Sequence, residues 1–248
     1  MARGSYAVRV SSPVPNAKST LVDDGWRKRS GDFYTRRLAP RVDGLLALAA
    51  NRGLPHQWRL QPYVGVVHER VNALARTLTG ATTRNPYPQD TIRTRLVTLL
   101  DGAGAQERDR WLVAAESHDR NAQVFAEVAR AAREVGLPWM EARTSLDAVI
   151  YELEDGNGPV RLTPLLTAAL WLTGNVEAAE RRLVDVATRF GEQAPPPPQQ
   201  LPGVRVTAIG SSAPPEGWPR PAFDAFAARL RAGMEQYPDG PPEDWRSA

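Results

Sequence analysis

The chain has 248 residues, 31 basic and 28 acidic side chains, a formal net charge of +3 and no cysteine. The missing cysteines exclude disulfide scaffolds, Cys-ligated zinc, iron–sulfur clusters and thiol catalysis. With 42% hydrophobic and 24% charged residues the composition is globular, and the longest apolar run, Leu45 to Ala50, is far below the ~20 residues a bilayer requires.

The opening residues, Met-Ala-Arg-Gly-Ser-Tyr, lack an apolar signal core, so a cytoplasmic protein is expected. A loose arm leads into a helix over 15–24, with Gly25 marking its end. Residues 32–38 read as a first strand, broken by Pro40. The apolar run 42–50 reads as a central strand, and 51–55 as a turn. Residues 57–67 alternate, with Trp58, Leu60, Val64 and Val66 on one face and Arg59, Gln61 and Tyr63 on the other. Val67, Val71, Leu74 and Leu78 then form one helical stripe, closed by Gly80.

A fourth strand is expected over 91–100 and a fifth over 110–116. Thereafter the chain reads as helical. Asp119 is a candidate cap for a helix that ends at Gly136-Leu137-Pro138. Ser145 caps another. Thr163-Pro164 opens a third, and Gly174-Asn175 separates it from a fourth. Residues 191–203, with four consecutive prolines, read as a stiff polyproline linker. A short strand over 204–209 and a final amphipathic helix over 221–237 complete the chain. The expected fold is α+β: an antiparallel sheet of about five strands with helices packed mainly on one face. In domain terms, residues 1–190 form the core, 191–203 the tether, and 204–248 an appendage that packs back on the core.

The element order and several landmarks resemble a bacterial family catalogued as domain of unknown function 4304. The landmarks are Asp24-Gly25-Trp26-Arg27-Lys28-Arg29 followed by Asp32-Phe33-Tyr34, the strand around Trp58 to Val66, Trp111-Leu112-Val113, and Gly136-Leu137-Pro138-Trp139. The resemblance spans about residues 14–190. It implies an α+β fold and an accessory or immunity-type role, and assigns no catalytic residue.

The histidines, His56, His68 and His118, fit no metal-binding spacing. No phosphate loop or nucleophile elbow is present. His68-Glu69 is the one candidate acid/base pair and carries a minor hydrolase reading. No cofactor and no metal are expected. Basic residues are more informative. Residues 1–95 hold 16 basic against 6 acidic residues, and residues 96–248 hold 15 against 22, so the halves carry +10 and −7. If the strands share one sheet, period-two geometry gathers Arg36, Arg59, Arg93 and Arg95 on an open face, with Tyr34 and Tyr63 among them and Arg27 and Arg29 beside it. Arginines with interleaved aromatics suit an acidic protein or a nucleic acid. The leading expectation is a non-enzymatic binding protein for a protein partner. Nucleic-acid binding through the basic face is the alternative. A third arrangement has the two halves neutralising each other.

Overall fold

The structure is a computed structural model. It describes residues 21–22, 24–29, 32–52, 57–81, 90–101, 111–114, 117–155, 163–192, 219–243 and 245. The fold is α+β and its sheet is antiparallel. Six strands are described: β1 (Arg27–Lys28), β2 (Phe33–Ala39), β3 (Val42–Arg52), β4 (Gln57–His68), β5 (Ile92–Arg95) and β6 (Leu112–Ala114). The sheet runs β1-β2-β3-β4-β5, and β6 pairs with β4. The helices are α1 (Glu69–Thr79), α2 (Leu96–Asp101), α3 (His118–Ala131), α4 (Leu137–Glu141), α5 (Leu146–Asp155), α6 (Thr163–Leu172), α7 (Val176–Glu192) and α8 (Arg220–Gln236).

Two compact units divide the chain. The first comprises Met1–Arg36, Leu46–Val64 and Thr94–Leu137; the second comprises Arg37–Leu45, Gly65–Arg93 and Pro138–Ala248. The C-terminal helix α8 therefore belongs to the second unit, where it packs on α1 and α7.

Local chemistry explains most of the element boundaries. The helix expected over 15–24 lies mostly outside the described residues, but its end is present. Trp26 N–H donates to the Leu21 carbonyl at 3.1 Å and Gly25 N–H to Val22 at 2.9 Å. This doubly bonded stop needs a left-handed residue after the helix. Helix α1 ends the same way at Gly80, with φ of 68°, and α6 at Gly174. Helix α5 starts where Ser145 Oγ accepts the Ala148 N–H at 3.2 Å. In β3 the residues Val42 and Gly44 to Leu48 are all buried, so both faces of this central strand are covered.

Three expectations are corrected. The fourth strand stops at Arg95, and Leu96–Asp101 is helical. Ile92, Leu96 and Leu100 stand four residues apart, which is a helical spacing, and only the first lies in a strand. Gly136-Leu137-Pro138 does not end the α3 helix. The chain continues through a π-turn, Ala132–Gly136, in which Leu137 N–H donates to the Ala132 carbonyl, and then into α4. Space is tight at Gly136: a Cβ would sit 3.0 Å from Val64 Cγ1 and 3.3 Å from Leu96 Cδ1, and those side chains would have to give way. Asp119 is not the cap of α3. Ser117 holds that position, without a side-chain cap bond. The fifth strand is described only over Leu112–Ala114, and the polyproline tether from 193 onward and the strand at 204–209 lie outside the described residues.

Within the first unit, Asn121 fastens α3 to β6. Its Oδ1 accepts the Ala114 N–H at 3.0 Å and its Nδ2 donates to the Ala114 carbonyl at 2.6 Å. The buried amide stands in for a neighbouring strand and closes both backbone groups. Within the second unit, α6 forms the core. Trp171 is fully buried, and Gly233 of α8 lies so close to its indole that any Cβ would collide with it.

Candidate functional site

The β1–β2 pair divides its arginines between two faces. In the first unit β1 and β2 pair with Arg27 opposite Thr35 and Lys28 opposite Tyr34. Opposed residues share a face of an antiparallel sheet. Arg27 and Arg29 therefore share the Thr35 face, while Arg36 lies on the opposite, Tyr34 face. Tyr34 and Thr35 are both buried, so the strand is covered on both faces at this point. The Tyr34 hydroxyl is pushed up to about 12, first by burial and then by the nearby Asp32 carboxylate.

Neutral neighbours occupy two of these guanidinium groups. Arg29 Nε donates to Thr35 Oγ1 at 2.8 Å, and an Arg36 terminal nitrogen to the Asp24 carbonyl at 2.8 Å. On β4, Arg59 and Tyr63 do share the more exposed face, both half-buried, while Leu60, Pro62 and Val64 are buried on the other. On β5, Arg93 and Arg95 share an exposed face. Arg93 pairs with Asp90 at 3.6 Å, whose own carboxyl is raised by burial against the pull of Arg93. Arg27 and Arg95 are exposed, and among the described residues their side chains make no hydrogen bond or ion pair.

His68-Glu69 does not form an acid/base pair. His68 ends β4 with its side chain buried and Nδ1 without a partner. Glu69 instead accepts from Arg37 at 3.1 Å. Burial, and secondarily the positive charge of Arg70, hold the His68 imidazolium below its ordinary pKa, against an opposing pull from Glu69.

The feature missed by sequence reasoning is a cleft of about 350 Å³ within the second unit. One wall is the first two turns of α1, which present Glu69, Arg70, Ala73, Leu74 and Thr77. The other wall is the segment after α8. Trp171 Nε1 donates to the Tyr237 carbonyl at 2.9 Å and anchors that segment. Gly240, at φ 110°, then bends the chain against the Trp171 carbonyl, 3.1 Å from where a Cβ would stand. Trp245 packs edge-on against Trp171, with ring centroids 4.9 Å apart. The rim is charged. Arg41 occupies the β2–β3 turn at φ 60°, a conformation non-glycine residues seldom adopt. Its carbonyl accepts the Glu69 N–H at 3.0 Å, and its guanidinium grips both carboxylate oxygens of Glu243 at 3.1 and 3.4 Å.

No signal in a linear reading joins Arg41, Arg70 and Trp245, because the cleft's parts come from a turn, a helix and a C-terminal segment. Among the described residues no group of three or more His, Asp or Glu side chains is arranged to hold a metal ion. No described helix is long and apolar enough to cross a membrane. Comparisons with protein-family models, with curated proteins and with solved structures return no match.

Proposed function

We propose that the chain is a non-enzymatic binding protein that recognises a protein partner and grips it in the cleft beside α1. The observation that carries this reading is the lining. Leu74, Leu172, Trp245 and two prolines form an apolar floor, and Arg41, Arg70, Glu69 and Glu243 surround it with charge of both signs. An aromatic centre within a mixed polar rim is the composition of protein-recognition hot spots. A surface for a polyanion carries one sign. The resemblance to the domain-of-unknown-function 4304 family supplies the wider setting of this proposal, an accessory or immunity-like factor in a bacterial cytoplasm.

The exposed Arg27 and Arg95 favour a second reading, nucleic-acid binding. One experiment separates the two: capture from a lysate of the native host, with and without nuclease, on immobilised wild type, Trp245→Ala and Arg27→Glu/Arg95→Glu. The protein-partner reading expects a nuclease-resistant protein held by the wild type and the double variant and lost from Trp245→Ala. Nucleic acid held by the wild type and Trp245→Ala but lost from the double variant would establish the alternative.

A further inference from the structure

Among the described residues, the charges around the cleft are balanced with one exception. Arg41 is forked on Glu243. Arg37 serves Glu69 at 3.1 Å and Asp43 at 3.0 Å. Arg70 has no carboxylate partner among the described residues. Among the described residues its guanidinium donates only to the Pro241 carbonyl, at 3.5 Å, the long limit of a hydrogen bond. A half-buried guanidinium with five donors is thus left with one weak neutral acceptor. It lines the cleft beside Leu74 and Trp245.

Size narrows the occupant. A volume of about 350 Å³ lies at the lower end of small-ligand pockets. It holds a residue or two, not a helix or a folded surface. The occupant must present an anion and an apolar group within one residue. An internal aspartate or glutamate carries the anion without an apolar group of its own. A chain end joins an α-carboxylate and an apolar side chain at one Cα. The nearby carboxylates of Glu69 and Glu243 are engaged by Arg37 and Arg41, which tempers their repulsion of an incoming anion.

We propose that the cleft takes the C-terminal residue of a partner polypeptide, its α-carboxylate on Arg70 and an apolar side chain against Leu74 and Trp245. This rests on the protein-partner reading and specifies its chemistry. Guanidinium–carboxylate bonds are charge-assisted and among the stronger recognition contacts.

The test uses the full chain and a pool of fluorescent hexapeptides with randomised last two positions, prepared once as free acids and once as C-terminal amides. Fluorescence anisotropy should show the acids binding about 10- to 100-fold more tightly than the amides, the range expected for one hydrogen-bonded charge. Arg70→Gln should erase that difference, and Arg70→Lys should restore part of it. N-acetyl-leucine should compete only weakly. Competition as strong as the peptides' would make a free acid the ligand and overturn the assignment to a chain end. Equal binding of acids and amides, lost in Trp245→Ala, would overturn the carboxylate assignment and leave the protein-partner reading standing. Binding of neither pool would overturn the inference, and the lysate capture then decides the reading beneath it.

Discussion

The arginines of the two units are held in different ways. In the first unit Arg29 rests on a threonine hydroxyl and Arg36 on a backbone carbonyl, while Arg133 reaches the Asp24 carboxylate at 2.8 Å. These bonds fasten the segment around β1 to its own neighbours. In the second unit carboxylates dominate. Arg37, Arg41, Arg143 and Arg231 are paired with Asp43, Glu243, Glu152 and Glu180. Against that background Arg70, like Arg76 and Arg229, donates to backbone carbonyls alone among the described residues, and of the three it is the one that lines the cleft. The contrast teaches that counting arginines is a poor guide to a binding surface. Most of the described guanidinium groups are occupied within the fold, and the informative one is the cation at the cleft whose carboxylate neighbours are served elsewhere.

The largest test of this contrast removes the floor of the second unit. Trp171 is fully buried, touches Gly233, and anchors both Tyr237 and Trp245. Trp171→Ala should cost about 3–5 kcal/mol in urea unfolding, and should abolish the preference for acid over amide peptides. A smaller effect belongs to the first unit. Asn121→Leu removes the acceptor of the Ala114 N–H and leaves the Ala114 carbonyl only the longer bond from the Ser117 N–H, at 3.4 Å. It should cost roughly 2–3 kcal/mol by the same measurement, with the peptide preference unchanged. If Asn121→Leu removed that preference at a temperature where the variant is folded, the cleft would not be a property of the second unit alone.

How much of this was legible beforehand follows the range of the interactions. The stops at Gly25, Gly80 and Gly174 are local, because each helix is ended by bonds within six residues. The same holds for Ser145 and the central strand 42–50. The segment after Ile92 was misread because four-residue spacing fits a helix, while the strand within it is only four residues long. The passage through Gly136-Leu137-Pro138 was misread because Gly136 answers a close approach of Val64 and Leu96, which sequence neighbours do not reveal. Period two gathers the strand arginines together, yet Arg27 and Arg36 fall on opposite faces. Strand register decides that, and a slip of one residue exchanges the faces. The cleft was invisible for the same reason: its residues meet only through tertiary packing.

The smallest effect is the most diagnostic of Arg70. Burial and then Arg70 lower the affinity of folded His68 for a proton below that of the ordinary side chain, pKa 6.5. The unfolded chain takes up this proton near pH 6.5 and the folded protein only at lower pH. Proton uptake by the unfolded state therefore favours unfolding. The stability associated with neutral His68 is fully present above pH 6.5 and is lost as pH falls from there to the folded value. Urea midpoints at pH 7.5 and 5.5 should show that loss in the wild type, and His68→Gln should remove that part of it. Arg70→Gln should reduce the loss without removing it, because burial, the larger cause, remains. A carboxylate peptide seated on Arg70 should act in the same direction by offsetting the guanidinium charge. Identical slopes for wild type and Arg70→Gln would mean that the Arg70 charge is already neutralised in the folded protein, and the distinction between it and its paired neighbours would collapse.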